Sequence, residues 1–298
     1  MSERSRRSAR VAGRDLLGHS YRLSRRYALL RLARRRESPI VVFSMGKTGS
    51  TAVARAVHEA TAQRVFQVFR LDAARLREAE HRYRVRNRLA KSRTGDAGPV
   101  AFPGAHHLWE SEYLVRHLPT PAAPWTVITT VREPVSQALS AFFHAARGAH
   151  ALAPDSTVQT LSQEFRAQGW LREPLRWFER EFTNVLGIDV MATPFDTNAG
   201  HAVIETPAVR LLLLRQENLE DAATALGSFL GLLAPVPIPR RNEGAAREHA
   251  TTYGEFLRGV HLAGEVLDEA YNSEYAQHFY EMGEIAEFRR RWSGPPPV

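Results

Sequence analysis

Short, wholly apolar runs alternate along the chain with stretches of helical period. Pro39-Ile-Val-Val-Phe-Ser-Met45 reads as a strand buried on both faces. Gly46-Lys-Thr-Gly-Ser-Thr51 follows as a turn, and Ala52–Ala62 continues as a helix. Val65–Leu71 is a second strand and Asp72–Arg93 a solvated, Arg-laden helix. Val100–Phe102 reads as a short strand, with His106 and His107 after it and a helix from about Glu110. Trp125–Val131 is another buried strand. Pro134 sits where a helix would take its first turn, in a segment running to about Arg147. Helices over 157–168 and 173–186 form an aromatic-rich insertion. Val209–Leu214 is a strand, and Glu217–Leu232 the helix after it. Pro235, Pro237 and Pro239 make an extended linker, and Tyr253–Trp292 is helical. Strands that alternate with helices predict an α/β protein, a parallel sheet covered on both faces.

Composition narrows this picture. The chain has 298 residues and 44% hydrophobic positions, enough for a large core. It has no cysteine, which excludes disulfides, thiolate nucleophiles and Cys-ligated metals. No run approaches the length of a membrane span, and no constellation of metal ligands stands out. The formal charge of +8 suggests nucleic acid until it is located. Residues 1–36 carry a net +10 and residues 64–93 a net +7, so residues 94–298 carry −9. The body is therefore mildly acidic, and no specific nucleic-acid partner is expected. The basic arm, 1–36, places Leu16, Leu23, Tyr27 and Leu30 at helical spacing. It reads as a tail or as an amphipathic helix for peripheral contact with an anionic membrane, ahead of one α/β domain over 37–298. A cytoplasmic location is expected, with membrane-peripheral contact through the arm as the variant.

Thirty-eight of the forty basic residues are Arg, and only Lys47 and Lys91 are Lys. Lys47 lies in the loop between the first strand and helix. Glycine lets a backbone approach an anion, and the first amides of a helix point outward, unpaired. Gly46, Lys47, Thr48, Gly49, Ser50 and Thr51 thus make a candidate phosphate cradle. A nucleotide P-loop would need a glycine at position 41, where Val41 stands, and a metal-binding Asp where the strand at 125–131 runs into Arg132. Arg132 lies at a strand's C-terminal end, where open α/β sheets bind ligands, with Ser140 eight residues on.

Together these two elements resemble the sulfotransferase superfamily, which uses 3′-phosphoadenosine 5′-phosphosulfate (PAPS). The resemblance implies a three-layer, P-loop-like sheet flanked by helices, with a helical insertion and C-terminal helices. It implies that Gly46 to Thr51 hold the 5′-phosphosulfate and that Arg132 and Ser140 hold the 3′-phosphate. It also implies PAPS as co-substrate without a metal, and Lys47 as the cation beside the leaving oxygen. Leu211–Asp221 looks like that family's strand-to-helix step near the nucleotide. Trp177-Phe-Glu179, Gly187–Asp196 and Tyr271–Tyr280 through Phe288 and Trp292 look like a bacterial group described as putative capsular polysaccharide synthesis proteins. The whole resemblance spans about residues 39–292.

A base is needed for the acceptor hydroxyl. The resemblance implies a catalytic His followed by an apolar residue in the segment between the two elements, which His107-Leu108 fits best, with His106 second and Glu110 a carboxylate alternative. Arg241, after the proline linker, is a further nucleotide contact or a solvated turn. The aromatics Phe165, Trp170, Trp177, Phe178 and Phe182 either line an acceptor cleft or pack a core, and helical spacing favours packing. The expected function is sulfuryl transfer to a hydroxyl of a carbohydrate or similar acceptor. The alternatives are a small-molecule kinase of the P-loop type and a non-enzymatic protein that binds anionic surfaces.

Overall fold

The computed structural model describes residues 39–61, 63, 65–94, 106–117, 124–148, 158–239 and 250–294. The basic arm, the Val100–Phe102 strand and Arg241 lie outside these residues. A single five-stranded sheet forms the centre: β1 (Ile40–Phe43), β2 (Val65–Val68), β3 (Trp125–Val131), β4 (His201–Glu205) and β5 (Val209–Arg215). Their spatial order is β2-β1-β3-β5-β4. The first four in that order are parallel, and β4 runs antiparallel to β5. The continuous apolar runs predicted β1, β3 and β5 because both of their faces are covered. β4 is an edge strand with mixed polar positions and gave no such run.

Side chains alternate across the strands. Val41, Phe43, Val127, Leu211 and Leu213 face one layer, built from Trp177, Phe178, Phe182, Tyr275 and Phe279. Ile40, Val42, Ile128, Leu212 and Leu214 face the other, built from α1 (Ser50–Thr61) and the helix at Ala223–Phe229. The helices in chain order are α1, α2 (Ala73–Thr94), α3 (His106–His117), α4 (Pro134–Gly148), α5 (Val158–Ala167), α6 (Arg172–Phe178), α7 (Ala223–Phe229), α8 (Ala250–Gly259), α9 (Gly264–Tyr271), α10 (Glu274–Phe279) and α11 (Met282–Ser293). α6 runs on through a π turn, Glu179–Thr183, to Leu186. A further core joins α4 to α5, α8, α9 and α11 through Phe142, Phe165, Phe256 and Trp292.

Several sequence expectations are corrected. His106 and His107 open α3 instead of preceding a helix that starts near Glu110. The expected helix over Glu217–Leu232 is a 3-10 turn at Gln216–Asn218 followed by the short α7. Ser50 rather than Ala52 begins α1, and the C-terminal helical stretch divides into α8 to α11. The sheet is mostly, not wholly, parallel. Phe165, Trp177, Phe178 and Phe182 are buried core residues. Trp170 is half-buried and donates its indole N–H to Gln168. Among the described residues, no helix is long and apolar enough to cross a membrane.

Candidate functional site

The chain leaves β1 towards one edge of the sheet and β3 towards the other, so the strand order reverses between them. A crevice at such a reversal, beyond the strands' C-terminal ends, is where open α/β sheets take ligands. The 45–51 loop leaves β1 there, and Arg132 leaves β3.

The loop is held in an unusual shape. Lys47 is the one non-glycine residue with positive φ, at 72°, among the described residues. A side chain in that region costs about 1 kcal/mol or more. Fixed partners surround it. The Lys47 carbonyl accepts from Arg132 Nη1 at 3.0 Å, and the Gly46 carbonyl accepts from Gln137 Nε2 at 2.8 Å. Thr48 Oγ1 donates to the Met45 carbonyl at 2.9 Å and lies 2.6 Å from Thr130 Oγ1. Thr130 donates its hydroxyl (3.0 Å) and its amide (2.9 Å) to Ser44 Oγ. This buried hydroxyl chain ties the loop to the ends of β1 and β3.

Gly49 has φ 86° and accepts the amides of Ala52 and Val53, so it opens α1. A Cβ there would lie 2.8 Å from Leu219 Cδ1 and 3.3 Å from Gln216 Cγ. Gly49 is therefore required by both its dihedral and the close approach of the turn after β5. A Cβ on Gly46 would meet nothing within 4 Å. The first turn of α1 holds no acidic residue, so nothing opposes the helix dipole at that end. Ser50 and Thr51 hydroxyls each accept from Gln67 Nε2 at 3.1 Å, which sets them against β2.

Arg132 and Glu133 are fixed by the C-terminal helices. Tyr275 on α10 donates its hydroxyl to the Arg132 carbonyl at 2.8 Å and accepts the Arg132 amide at 3.2 Å. Glu133 is 1% exposed. One of its oxygens accepts from Val135 N (2.7 Å) and Tyr271 OH (2.7 Å), the other from Ser136 N (2.8 Å) and Trp292 Nε1 (3.3 Å). Glu133 thus caps α4 and anchors α9 and α11 together. Its own amide donates to Glu217 Oε1 at 2.9 Å, and Glu217 Oε2 accepts from Tyr280 OH at 3.2 Å. Burial, reinforced by the neighbouring Glu133, raises the Glu217 carboxyl above the ordinary range, although hydrogen bonds and Arg132 pull the other way. Nearby, Arg215 pairs with both oxygens of Glu284 and lies over the Tyr280 ring.

In a comparison with family models, residues 155–281 match a model described as "Putative capsular polysaccharide synthesis protein". The match takes in less than half of the chain. It includes the aromatic insertion, β4, β5, Tyr271, Tyr275 and Tyr280. It leaves out the 45–51 loop, Arg132, Ser140 and Trp292. No curated protein and no solved structure matches.

The structure brings the loop and Arg132 together by a direct hydrogen bond. Ser140 lies along α4, almost buried at 9% exposure. His107 stands in the first turn of α3, with its ring edge-on to Phe69 at 5.1 Å, just past β2. Glu110 is buried one turn further along. Sequence reasoning missed Ser44, Gln67, Thr130, Gln137 and Glu217 as site supports. It quoted Tyr271, Tyr275 and Tyr280 only for a resemblance. None of these has a local motif: each acts through a partner 16 to 143 positions away.

Proposed function

We propose that the protein is a PAPS-dependent sulfotransferase acting on a hydroxyl of a carbohydrate. The observation that supports this most is the hydrogen bond from Arg132 to the Lys47 carbonyl. It joins the two elements read from the sequence as 5′ and 3′ anion sites, at the C-terminal ends of β1 and β3. The donor set suits a nucleotide with phosphates at both ends. A glycine with open space, an α-helix N-terminus free of acids and a half-buried Lys47 offer one anion site. Arg132 offers a planar fork for the second. The glycan acceptor rests on the matched family's description.

PAPS supplies an activated sulfuryl group. The acceptor oxygen forms a bond to sulfur as the bond from sulfur to the bridging phosphate oxygen breaks. Lys47 stabilises the negative charge growing on that oxygen. The acceptor proton passes to His107, with His106 and Glu110 as the alternatives at the same helix start. 3′-Phosphoadenosine 5′-phosphate (PAP) leaves.

Thermal shift tests this reading. PAPS and PAP should raise the melting temperature well beyond ATP with or without Mg²⁺. Equal stabilisation by all three, or by none, would overturn it, and Mg²⁺-dependent ATP turnover would favour a kinase. Lys47→Ala should abolish sulfuryl transfer and leave the fold intact. Retained activity would remove Lys47 from its role.

A further inference from the structure

We infer that Tyr275 is a positioning residue for Arg132. The inference rests on the reading above, because it deepens the role given to Arg132. The β3–β5 ladder ends at the Val131–Arg215 pair. Arg132 is the first residue past it, so its amide and carbonyl lose the partners a strand would supply. One hydroxyl replaces both: Tyr275 donates to the Arg132 carbonyl and accepts its amide. A single rigid ring therefore fixes the backbone of the residue that must aim a guanidinium.

The arrangement continues on both sides. Tyr275 is 1% exposed and packs against Phe178 and Phe279, so the ring has no freedom to swing. Arg132 in turn spends Nη1 on the Lys47 carbonyl, at the residue that bears the positive φ. Among the described residues the guanidinium makes that one hydrogen bond, and it also lies within electrostatic reach of Glu217; its other donors are the ones assigned to the anion. The C-terminal segment thus reaches the crevice through a tyrosine hydroxyl that touches backbone only. Neither the 45–51 motif nor the Arg132 motif contains it.

Calorimetric titration of the full chain with PAP and with adenosine 5′-monophosphate tests this, since the two differ in the 3′-phosphate. The wild type should prefer PAP. Tyr275→Phe keeps the ring and removes the hydroxyl. It should weaken PAP binding roughly five- to tenfold, the worth of one or two neutral hydrogen bonds, and leave monophosphate binding unchanged. In an Arg132→Ala background, Tyr275→Phe should have no further effect. A general structural loss would weaken both ligands alike. That result, or an unchanged preference in Tyr275→Phe, would overturn the inference while the function stands. A wild type with no preference for the 3′-phosphate would overturn the proposed function and the inference together. If Tyr275→Phe is too unstable at room temperature, the titrations are run in the cold with a stabilising osmolyte, and circular dichroism confirms a folded chain.

Discussion

Glu133→Gln offers a sharp test of how the C-terminal helices are attached. The carboxylate takes four donors, two on each oxygen, and is 1% exposed. Glutamine keeps the shape but turns one oxygen into an NH₂ group. With the NH₂ group towards Ser136 and Trp292, two N–H donors lose their acceptor; towards Val135 and Tyr271 only the Val135 N–H does, because the Tyr271 hydroxyl can turn and accept from the NH₂, and that flip is the one expected. Hydrogen bonds to a charged group are each worth about 1.5–3 kcal/mol net, so losing the Val135 bond costs about that much, and the remaining three lose their charge assistance. Glu133 also repels Glu217, and removing its charge offsets part of that loss. The expected net destabilisation is about 2–4 kcal/mol, a large share of a typical domain's about 5–15 kcal/mol. Urea unfolding at neutral pH measures it, as a lower midpoint with an unchanged slope. Glu205→Gln is the comparison, because its partner Arg210 and the pair itself are at the surface, and it should barely move the midpoint. A loss below about 1 kcal/mol for Glu133→Gln would refute the claim that this carboxylate holds α4, α9 and α11 together.

Two further outcomes follow from the same geometry. Gly49→Ala should destabilise by about 2–4 kcal/mol, from the strained dihedral and the 2.8 Å approach to Leu219 Cδ1, while Gly46→Ala should be nearly neutral; equal melting temperatures for the two variants would contradict this. Burial raises both Glu217 and Glu181. A carboxyl raised on folding contributes stability that is full below its unfolded pKa, about 4.3, and is lost as pH climbs through the folded value. Glu217→Gln can still accept the Glu133 amide and donate to the Tyr280 hydroxyl. Its stability relative to wild type should therefore increase as pH rises above about 4.3, and a flat or falling difference in urea midpoints would count against the assigned shift.

The sheet's central strands were legible because burial on both faces demands unbroken apolar runs, as in Ile40–Phe43 and Trp125–Val131. β4 was not: as an edge strand paired on one side, it tolerates His201 and Glu205, and its run is interrupted. The helix expected after β5 was read too long because Gln216–Asn218 and Ala223–Phe229 share a helical pattern, which the turn at Leu219–Ala222 interrupts. The Gly-Lys-Thr-Gly-Ser-Thr loop was visible because Gly49 answers a local backbone need. Its supports were not, since Thr130, Gln137 and Tyr275 meet it only through the tertiary fold. Thr48 shows the limit most plainly. Its place in the loop is legible in the sequence, whereas the engagement of its hydroxyl with Met45 and Thr130 inside the protein is not.

The bonds from Tyr271, Tyr275 and Trp292 to Arg132 and Glu133 join residues 138, 143 and 159 positions apart. Such closures carry consequences for the order of assembly. Loop and sheet can form from residues 40–215 alone, but Arg132 is aimed only after the segment 271–292 has been synthesised and docked. Long-range pairings of this kind slow folding and leave apolar faces open meanwhile. A nascent chain that stalls before residue 271 would thus hold a sheet with an unaimed Arg132 and a bare α4, a form for chaperones rather than for ligands.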